Sequence, residues 1–317
     1  MRDVVVIGGG LTGLSAAYEL SKHDLDVTLI EVKRQVGGSI RTIKQDGCII
    51  DEAAFAIRDN LDDDWLDAIG LEDALFPIGD DTLAFKEGTG SLIQALMTKI
   101  TATRLMRMAV SSIGELDDGR FSICMENGLM FDAKSLILAV PARHAERMFY
   151  GYISPITEQL LDYHYDSLYR VSIVCKTNAL PDEILTPPDM AYVFIHRTEH
   201  PSRVPDGCSL LQFGVRLDSH RVKSPVVLAA FLCEEFQLPE PLAYHVGYWR
   251  DADPVSCYED EHRERVRSIR EHLPEGIALV GSDYIVGAST SPGIVHLDTR
   301  IRQGIGAANQ VLAIVSA

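Results

Sequence analysis

Val4-Val5-Val6-Ile7-Gly8-Gly9-Gly10-Leu11-Thr12-Gly13 runs directly into an apolar helical pattern, and Val27-Thr28-Leu29-Ile30-Glu31 follows it. The first four residues are β-branched and uninterrupted by polar ones, as a strand buried on both faces requires. Over positions 11–22 the apolar residues Leu11, Leu14, Ala17, Tyr18 and Leu20 recur at helical spacing. Residues 27–30 return to the strand pattern. The unit reads as strand, helix, strand, with a parallel sheet as its consequence.

Each glycine between strand and helix answers a physical demand. Gly8 permits a tight turn, Gly10 lets the backbone approach a pyrophosphate, and Gly13 lets the helix lie close on the sheet. Leu11, Thr12 and Gly13 open the helix, whose first N–H groups lack partners and carry the positive end of its dipole. Glu31 comes 18 positions after Gly13, where a carboxylate accepts the hydroxyls of a ribose, with Val32 and Lys33 beside it. These residues are the expected seat of a dinucleotide, and by themselves they do not separate NAD from FAD. The next segment, Gly37-Gly38-Ser39-Ile40-Arg41-Thr42, separates them. A second Gly-Gly after the ribose acid adds backbone N–H groups near a pyrophosphate and flavin. Arg41 brings a charge for either a phosphate or the flavin O2/N1 edge. FAD is therefore the expected cofactor.

Downstream, residues 47–51 read as a short strand, 61–69 as an acidic helix, and 90–100 as a helix entered through Gly88-Thr89-Gly90. Alternation over 108–131, with turn signals at Asp117-Asp118-Gly119 and Glu126-Asn127-Gly128, predicts a β-meander. Residues 135–140 read as a separate buried strand ended by Pro141. From 143 to 275 the texture changes. Antiparallel strands are expected at 171–176, 191–196 and 209–215, Pro-rich loops at 181–188 and 201–205, and helices at 226–236 and 259–272. A strand at 277–280 and a helix at 300–315 follow. The expected fold class is α/β. A Rossmann-type FAD-binding domain, with a central parallel sheet and β-meander, is assembled from 1–52, 86–142 and 276–317. A mixed antiparallel-sheet substrate domain takes 53–85 and 143–275.

The order of these segments resembles the flavin amine oxidase and protoporphyrinogen oxidase superfamily. Gly37 to Thr42 is similar to that family's segment after the ribose acid, most of all to its protoporphyrinogen oxidase version. Asp46-Gly47-Cys48-Ile49-Ile50-Asp51 resembles its Asp-Gly strand, and Gly88-Thr89-Gly90-Ser91-Leu92 its glycine-led helix. Leu138-Ala139-Val140-Pro141-Ala142 resembles its "LAxPA" strand end. Trp249, Ala252, Pro254 and the stretch 261–266 are similar to the approach to the last flavin motif. That motif is Ala278-Leu279-Val280-Gly281-Ser282-Asp283-Tyr284, with Gly287, Gly304 and Ala307-Ala308 beyond it. The resemblance implies that Val110 holds the adenine through its backbone and that Ala139 and Val140 border the cofactor. It also implies that Gly281 admits the backbone close to FAD, while Ser282 or Asp283 meets the ribityl chain and pyrophosphate. Trp249 is expected either as an aromatic wall for the flavin or as a core aromatic. No cysteine occurs from 281 to 317, so attachment of FAD is expected to be noncovalent.

Two departures stand out. Residues 53–85 take the place of a much longer helical lobe, which weakens porphyrinogen as substrate and removes the family's membrane-docking surface. The chain is then more similar in size to compact renalase-type flavoproteins. Asp51-Glu52-Ala53-Ala54 stands where the family carries a glycine beside the isoalloxazine, and a methyl group there is expected to crowd the ring.

The 317 residues are 46% hydrophobic and 24% charged, the balance of a soluble globular protein. A net charge of −17 argues against nucleic acid and against stable membrane association. Six scattered cysteines without a C-x-x-C pair point to a reducing cytoplasm rather than to zinc or disulfides. His144, His164, His245 and His296 show no metal-ligand spacing, and no metal is expected. His196, Arg197 and Arg216 are read either as lining a polar chamber or as satisfied edge residues. Flavin oxidation asks mainly for placement and exclusion of water, so catalytic residues are not legible. Three functions follow. The first is a FAD-dependent oxidoreductase passing hydride from a small-molecule substrate to flavin N5, with O2 or another acceptor reoxidising it. The second is renalase-like oxidation of reduced nicotinamides. The third is a redox-inactive flavin-binding module. Substrate and oligomeric state are not written in the sequence.

Overall fold

A computed structural model describes residues 1–52, 56–58, 61, 63–79, 81–181, 184, 192–216, 224–254, 257, 260–286 and 297–316. β1 (Arg2–Ile7), α1 (Leu11–Leu20) and β2 (Val27–Glu31) form the expected β-α-β unit. Then come the hairpin β3 (Thr42–Gln45) and β4 (Cys48–Asp51), and the elements β5 (Ala56–Arg58), α2 (Asp63–Ala68), β6 (Leu75–Gly79) and β7 (Thr82–Phe85). α3 (Gly90–Lys99), β8 (Thr103–Met106), β9 (Val110–Glu115), β10 (Phe121–Met125) and β11 (Met130–Leu138) precede α4 (Ala142–Phe149) and α5 (Ser154–Leu161). β12 (Tyr165–Lys176), β13 (Tyr192–Thr198), β14 (Cys208–Arg216), α6 (Pro225–Glu235) and β15 (Ala243–Pro254) lead to α7 (His262–His272), β16 (Ile277–Leu279) and α8 (Leu297–Val315).

The large sheet runs β8-β2-β1-β11-β10-β9, and β16 also pairs with β11. Val4, Val5 and Val6 are fully buried because β1 lies parallel between β2 and β11. One expectation is corrected here. The last meander strand and the strand expected at 135–140 are a single strand, β11, because no turn residue interrupts Asp132-Ala133-Lys134. Its first half carries antiparallel β10, its second half carries parallel β16, and β1 takes the opposite edge. A single strand thus joins the parallel and antiparallel parts of the sheet. The residues before α3 hold a small antiparallel sheet, β5-β7-β6, which their short runs and Pro77 concealed.

α1 is buried almost all round, between the large sheet and α8. Gly304 sits where α8 crosses α1, and a side chain there would strike the Thr12 carbonyl and the Ser15 Cβ. Ile301, Ala307, Ala308 and Val311 complete that face of α8, and a fully buried Leu or Ile in such a core contributes about 1.5–3 kcal/mol.

The second large sheet, β13-β14-β12-β15, is antiparallel throughout. One face of it, Val171, Ile173, Leu211 and Phe213, packs on Leu228 and Leu232 of α6. The sheet is joined to the rest of the molecule by a buried carboxylate. Asp51 Oδ2 accepts from Arg203 Nη2 at 3.0 Å, and Oδ1 accepts from the Thr89 N–H at 2.9 Å. Arg203 is 2% exposed and also donates to the carbonyls of Ile49 (2.8 Å) and Phe85 (3.0 Å). Gln212 of β14 donates to the Asp51 carbonyl at 2.9 Å. Removing one partner of a buried pair strands the other charge, at a cost of about 3–5 kcal/mol. Urea titration of Arg203→Leu is expected to show a loss of that order; a loss under about 1 kcal/mol would mean the pair is not the junction.

Candidate functional site

The glycine turn after β1 is organised around Glu31. The Gly9 N–H donates to Oε2 and the Lys33 N–H to Oε1, both at 2.7 Å, and the carboxylate is buried at 6% exposure. A carboxylate offers about four acceptor positions, so about two remain for other donors. A Cβ at Gly13 would collide with the Gly8 carbonyl oxygen, so only glycine lets α1 start this close to β1. No side chain caps α1, whose N-cap is Gly10, and the space on the Cβ side of Gly10 is open to the Gly38 Cα at 4.0 Å. The second Gly-Gly is strapped to the first, with the Gly37 N–H donating to the Gly9 carbonyl at 2.6 Å. An uncapped helix N-terminus, an open approach to backbone and an acid with acceptor capacity left over fit the adenosine and pyrophosphate half of a dinucleotide.

Other anticipated residues take varied places. Leu11 and Ile40 turn their side chains into the core, and Thr12 is buried, which leaves their backbone for a ligand. Val32 is exposed, while Lys33 reaches the Gly38 carbonyl with Nζ at 3.3 Å. Ser39 and Val140 are half-buried, and the Ala139 carbonyl lies against Gly8. Val110 opens β9 two residues after Met108, whose N–H donates to the Glu31 carbonyl at 3.1 Å. Gly281 and Ser282 follow β16 closely. The Asp283 carboxylate is turned inward, where it accepts from the Ala142 N–H at 2.9 Å and from the Tyr165 hydroxyl. Burial raises its pKa. It anchors the start of α4. Ala53, Ala54, Gly287, His296, most of 182–190 and part of the acidic run 59–67 lie outside the described residues.

The face of the antiparallel sheet opposite α6 is apolar at one end, where Val174 and Leu210 pack on Cys48 and Ile50 of β4, and polar beyond it. His196, Gln212, Ser172 and His245 stand in one cross-strand row, and Gly214, Arg170 and Gly247 in the next. Glu52, directly after β4, meets this face. Its Oε1 lies 2.6 Å from His245 Nε2, and Arg41 Nε lies 3.5 Å from its Oε2. The absent side chain of Gly247 makes room, since a Cβ there would sit 3.2 Å from Glu52 Oε1 and 3.5 Å from Trp249 Nε1. Among the described residues, Ser172 Oγ, Trp249 Nε1 and Glu52 Oε2 are buried polar atoms on this face without a hydrogen-bond partner. Burial lowers the Arg170 pKa to about 9, which leaves it charged at neutral pH. Burial, then Arg203 and Arg170, lower His196 to about 4, so its imidazole is neutral there. Arg197, by contrast, pairs with Glu199 at the sheet edge. Arg170, Ser172, Gln212, Glu52 and the role of His245 were not read from the sequence. The available signal was the polar residue at alternate positions of an apolar strand in Tyr169-Arg170-Val171-Ser172-Ile173.

Comparison with known proteins adds two matches to family models. The NAD(P)-binding Rossmann-like domain matches residues 6–69, and the flavin containing amine oxidoreductase family matches 58–312, more than half of the chain. Mitochondrial protoporphyrinogen oxidase of Nicotiana tabacum is 41% identical over 80 residues, covering 24% of this chain and 16% of that protein. Flavin-containing amine oxidase A of Canis lupus familiaris is 50% identical over 46 residues, 14% of this chain and 9% of that one. The matched segments thus span less than a fifth of these relatives. A crystal structure from Exiguobacterium sp. 255-15, provisionally described as a protoporphyrinogen oxidase, superposes with a TM-score of 0.77 at 15% identity over 99% of both chains, which shows a shared fold. Among the described residues no helix is long and apolar enough to cross a membrane.

Two measurements bear on the polar face. An unsatisfied buried hydroxyl costs about 1–3 kcal/mol, so Ser172→Ala is expected to leave stability unchanged or raise it by about 1 kcal/mol; a clear loss in urea titration would show that the hydroxyl is already paired. Neutral His196 favours folding fully above the unfolded value of 6.5, and that contribution is lost as pH falls toward about 4. His196→Gln is therefore expected to lose less stability than the parent over that interval, and parallel pH profiles would refute the assignment.

Proposed function

Because the chain belongs to the flavin-containing amine oxidoreductase family, we propose that it is a FAD-dependent oxidoreductase acting on a small molecule held against the polar face of its antiparallel sheet. The observation that carries this reading is the meeting of two features. The glycine cradle around Glu31 fits a dinucleotide, and the β4 end leads from it to a buried face where, among the described residues, Ser172, Trp249 and Glu52 carry polar atoms without partners. When bound, FAD supplies a two-electron acceptor that oxidises a carbon–nitrogen or carbon–carbon bond and is reoxidised by O2 or another acceptor.

The residues of the chain then divide the work. The α1 N-terminus and the strapped segment 37–41 receive the phosphates, and Glu31 takes the ribose hydroxyls. Gly281 and Ser282 border the ribityl chain, Ala139 and Val140 the turn beside it, and Val110 the adenine. Attachment is noncovalent. Residues 1–52, 86–142 and 276–317 form the cofactor-binding part, and 53–85 with 143–275 the substrate part. Trp249 donates, Glu52 Oε2 accepts and Ser172 does either, so the substrate presents at least one acceptor and one donor. Burial of this face keeps water out, which strengthens each of those bonds. The relatives' names place porphyrinogens and amines first among substrates to test, with reduced nicotinamides favoured by the compact chain.

The purified protein is expected to be yellow, to release its flavin on acid precipitation, and to become colourless on Gly13→Val. Anaerobic mixing with an amine series, a porphyrinogen and the NAD(P)H isomers is expected to bleach the flavin with one class. Ser172→Ala is expected to lower kcat/KM for that class by about tenfold. Protein that takes up no flavin overturns the cofactor reading. Bound flavin that no reductant class bleaches overturns the oxidoreductase and leaves a binding module.

A further inference from the structure

A cavity of about 820 Å³ lies away from the polar face, on the outer side of residues 34–44 where they cross α3 and the edge strand β8. Its volume is within the range of about 300–1,000 Å³ typical of small-molecule sites. Val36, Ile40, Ile93, Met97 and Met106 give it an apolar floor, and Ile40 and Ile93 are buried members of the core beneath. Around that floor stand four cations, Arg34, Arg41, Lys44 and Arg104, with a single acid, Glu87. Glu87 is paired with Lys44 at 2.8 Å. Arg41 leans toward Glu52 at 3.5 Å with its guanidinium 66% exposed. Among the described residues neither Arg34 nor Arg104 has a carboxylate within ion-pair distance.

This arrangement runs against the composition of the chain, in which 46 acidic residues outnumber 29 basic ones. Acids dominate elsewhere, yet here the charge left over is positive and surrounds half-buried methyl and thioether groups. An excess of cations around one basin favours an anion there. An apolar floor asks for an apolar body, and a cationic rim asks for a carboxylate, sulfonate or phosphate at its edge. The α3 N-terminus adds no free donors, because the Thr89 and Gly90 N–H groups are already taken by Asp51 and by the Thr42 hydroxyl. The side chains alone make the site.

We propose that this basin binds a small amphipathic organic anion, an apolar ring or chain carrying one or two anionic groups, at a place that adjoins the cofactor segment at Ile40 and Arg41 but lies outside the Gly8–Gly13 turn and Glu31. Arg34 and Arg104 hold the anionic group, Lys44 exchanges Glu87 for it, and Val36, Ile93, Met97 and Met106 receive the apolar body.

The test uses FAD-loaded protein, so that the cradle is filled before any probe is added. 8-Anilinonaphthalene-1-sulfonate is titrated by fluorescence, beside the uncharged N-phenyl-1-naphthylamine. One saturable sulfonate site per chain is expected, with weaker binding of the uncharged analogue. The double variant Arg104→Glu, Lys44→Glu is expected to weaken the sulfonate by roughly tenfold or more while the flavin absorbance stays as in the parent. Gln94→Trp, an exposed substitution at the mouth, is expected to block the sulfonate without changing charge. Sulfonate binding that survives both changes, that is matched by the uncharged analogue, or that never saturates overturns the proposal. If the chain proves not to hold FAD, the same titration on the protein as purified reads the basin independently, because none of the altered residues belongs to the cradle.

Discussion

Asp51 has no exposed surface, and a solitary carboxylate in that position would cost several kcal/mol in lost hydration. The chain meets the cost by bringing donors from four separate segments. Thr42 comes from the same hairpin, Thr89 from the entry to α3, Arg203 from the loop before β14, and Gln212 from β14 itself, the last through the Asp51 carbonyl. Thr42, Thr89 and Arg203 lie far apart in sequence, so the carboxylate is satisfied only when the hairpin, the entry to α3 and the loop before β14 are all in place. Glu52, one residue further on, inherits its position from this junction. Its contacts with His245 and Arg41 exist because Asp51 has already fixed the end of β4 against the sheet. The placement of the polar face relative to the glycine cradle therefore rests on this buried charge together with the apolar packing of Cys48 and Ile50 on Val174 and Leu210.

The fold was legible where local pattern and tertiary role agree. β1, α1 and β2 carry periodicity, turn glycines and a terminal acid within one short stretch, and α8 has a long amphipathic pattern. β15 was not recognised, because Gly247 and the run Asp251-Ala252-Asp253-Pro254 break strand propensity, and β12 lends it the pairing that propensity does not. α4 and α5 were missed: Pro141 was read as the end of a strand, whereas it directly precedes α4, and Pro155 opens α5.

The candidate site was legible in the same uneven way. Glycines in a cradle are visible because nothing else explains several of them together. Arg203 and Gln212 are ordinary polar residues until distant segments converge on them, and Asp283 reads in sequence as a ligand contact although its carboxylate turns inward. Only the Ala142 N–H and the Tyr165 hydroxyl, both far along the chain from it, reveal it as a helix anchor.

The close crossing of α8 over α1 at Gly304 has a consequence for the order in which the molecule can mature. α1, with its uncapped N-terminus, is made long before the surface that covers its back, which arrives only with residues 297–315. Contacts of such sequence separation form late, since closing a long loop must precede any gain from it. A nascent chain thus holds α1 with an uncovered apolar side until residues 297–315 have emerged, a state open to chaperones. Loading of a nucleotide becomes a late event, reserved for chains that have already brought α8 home.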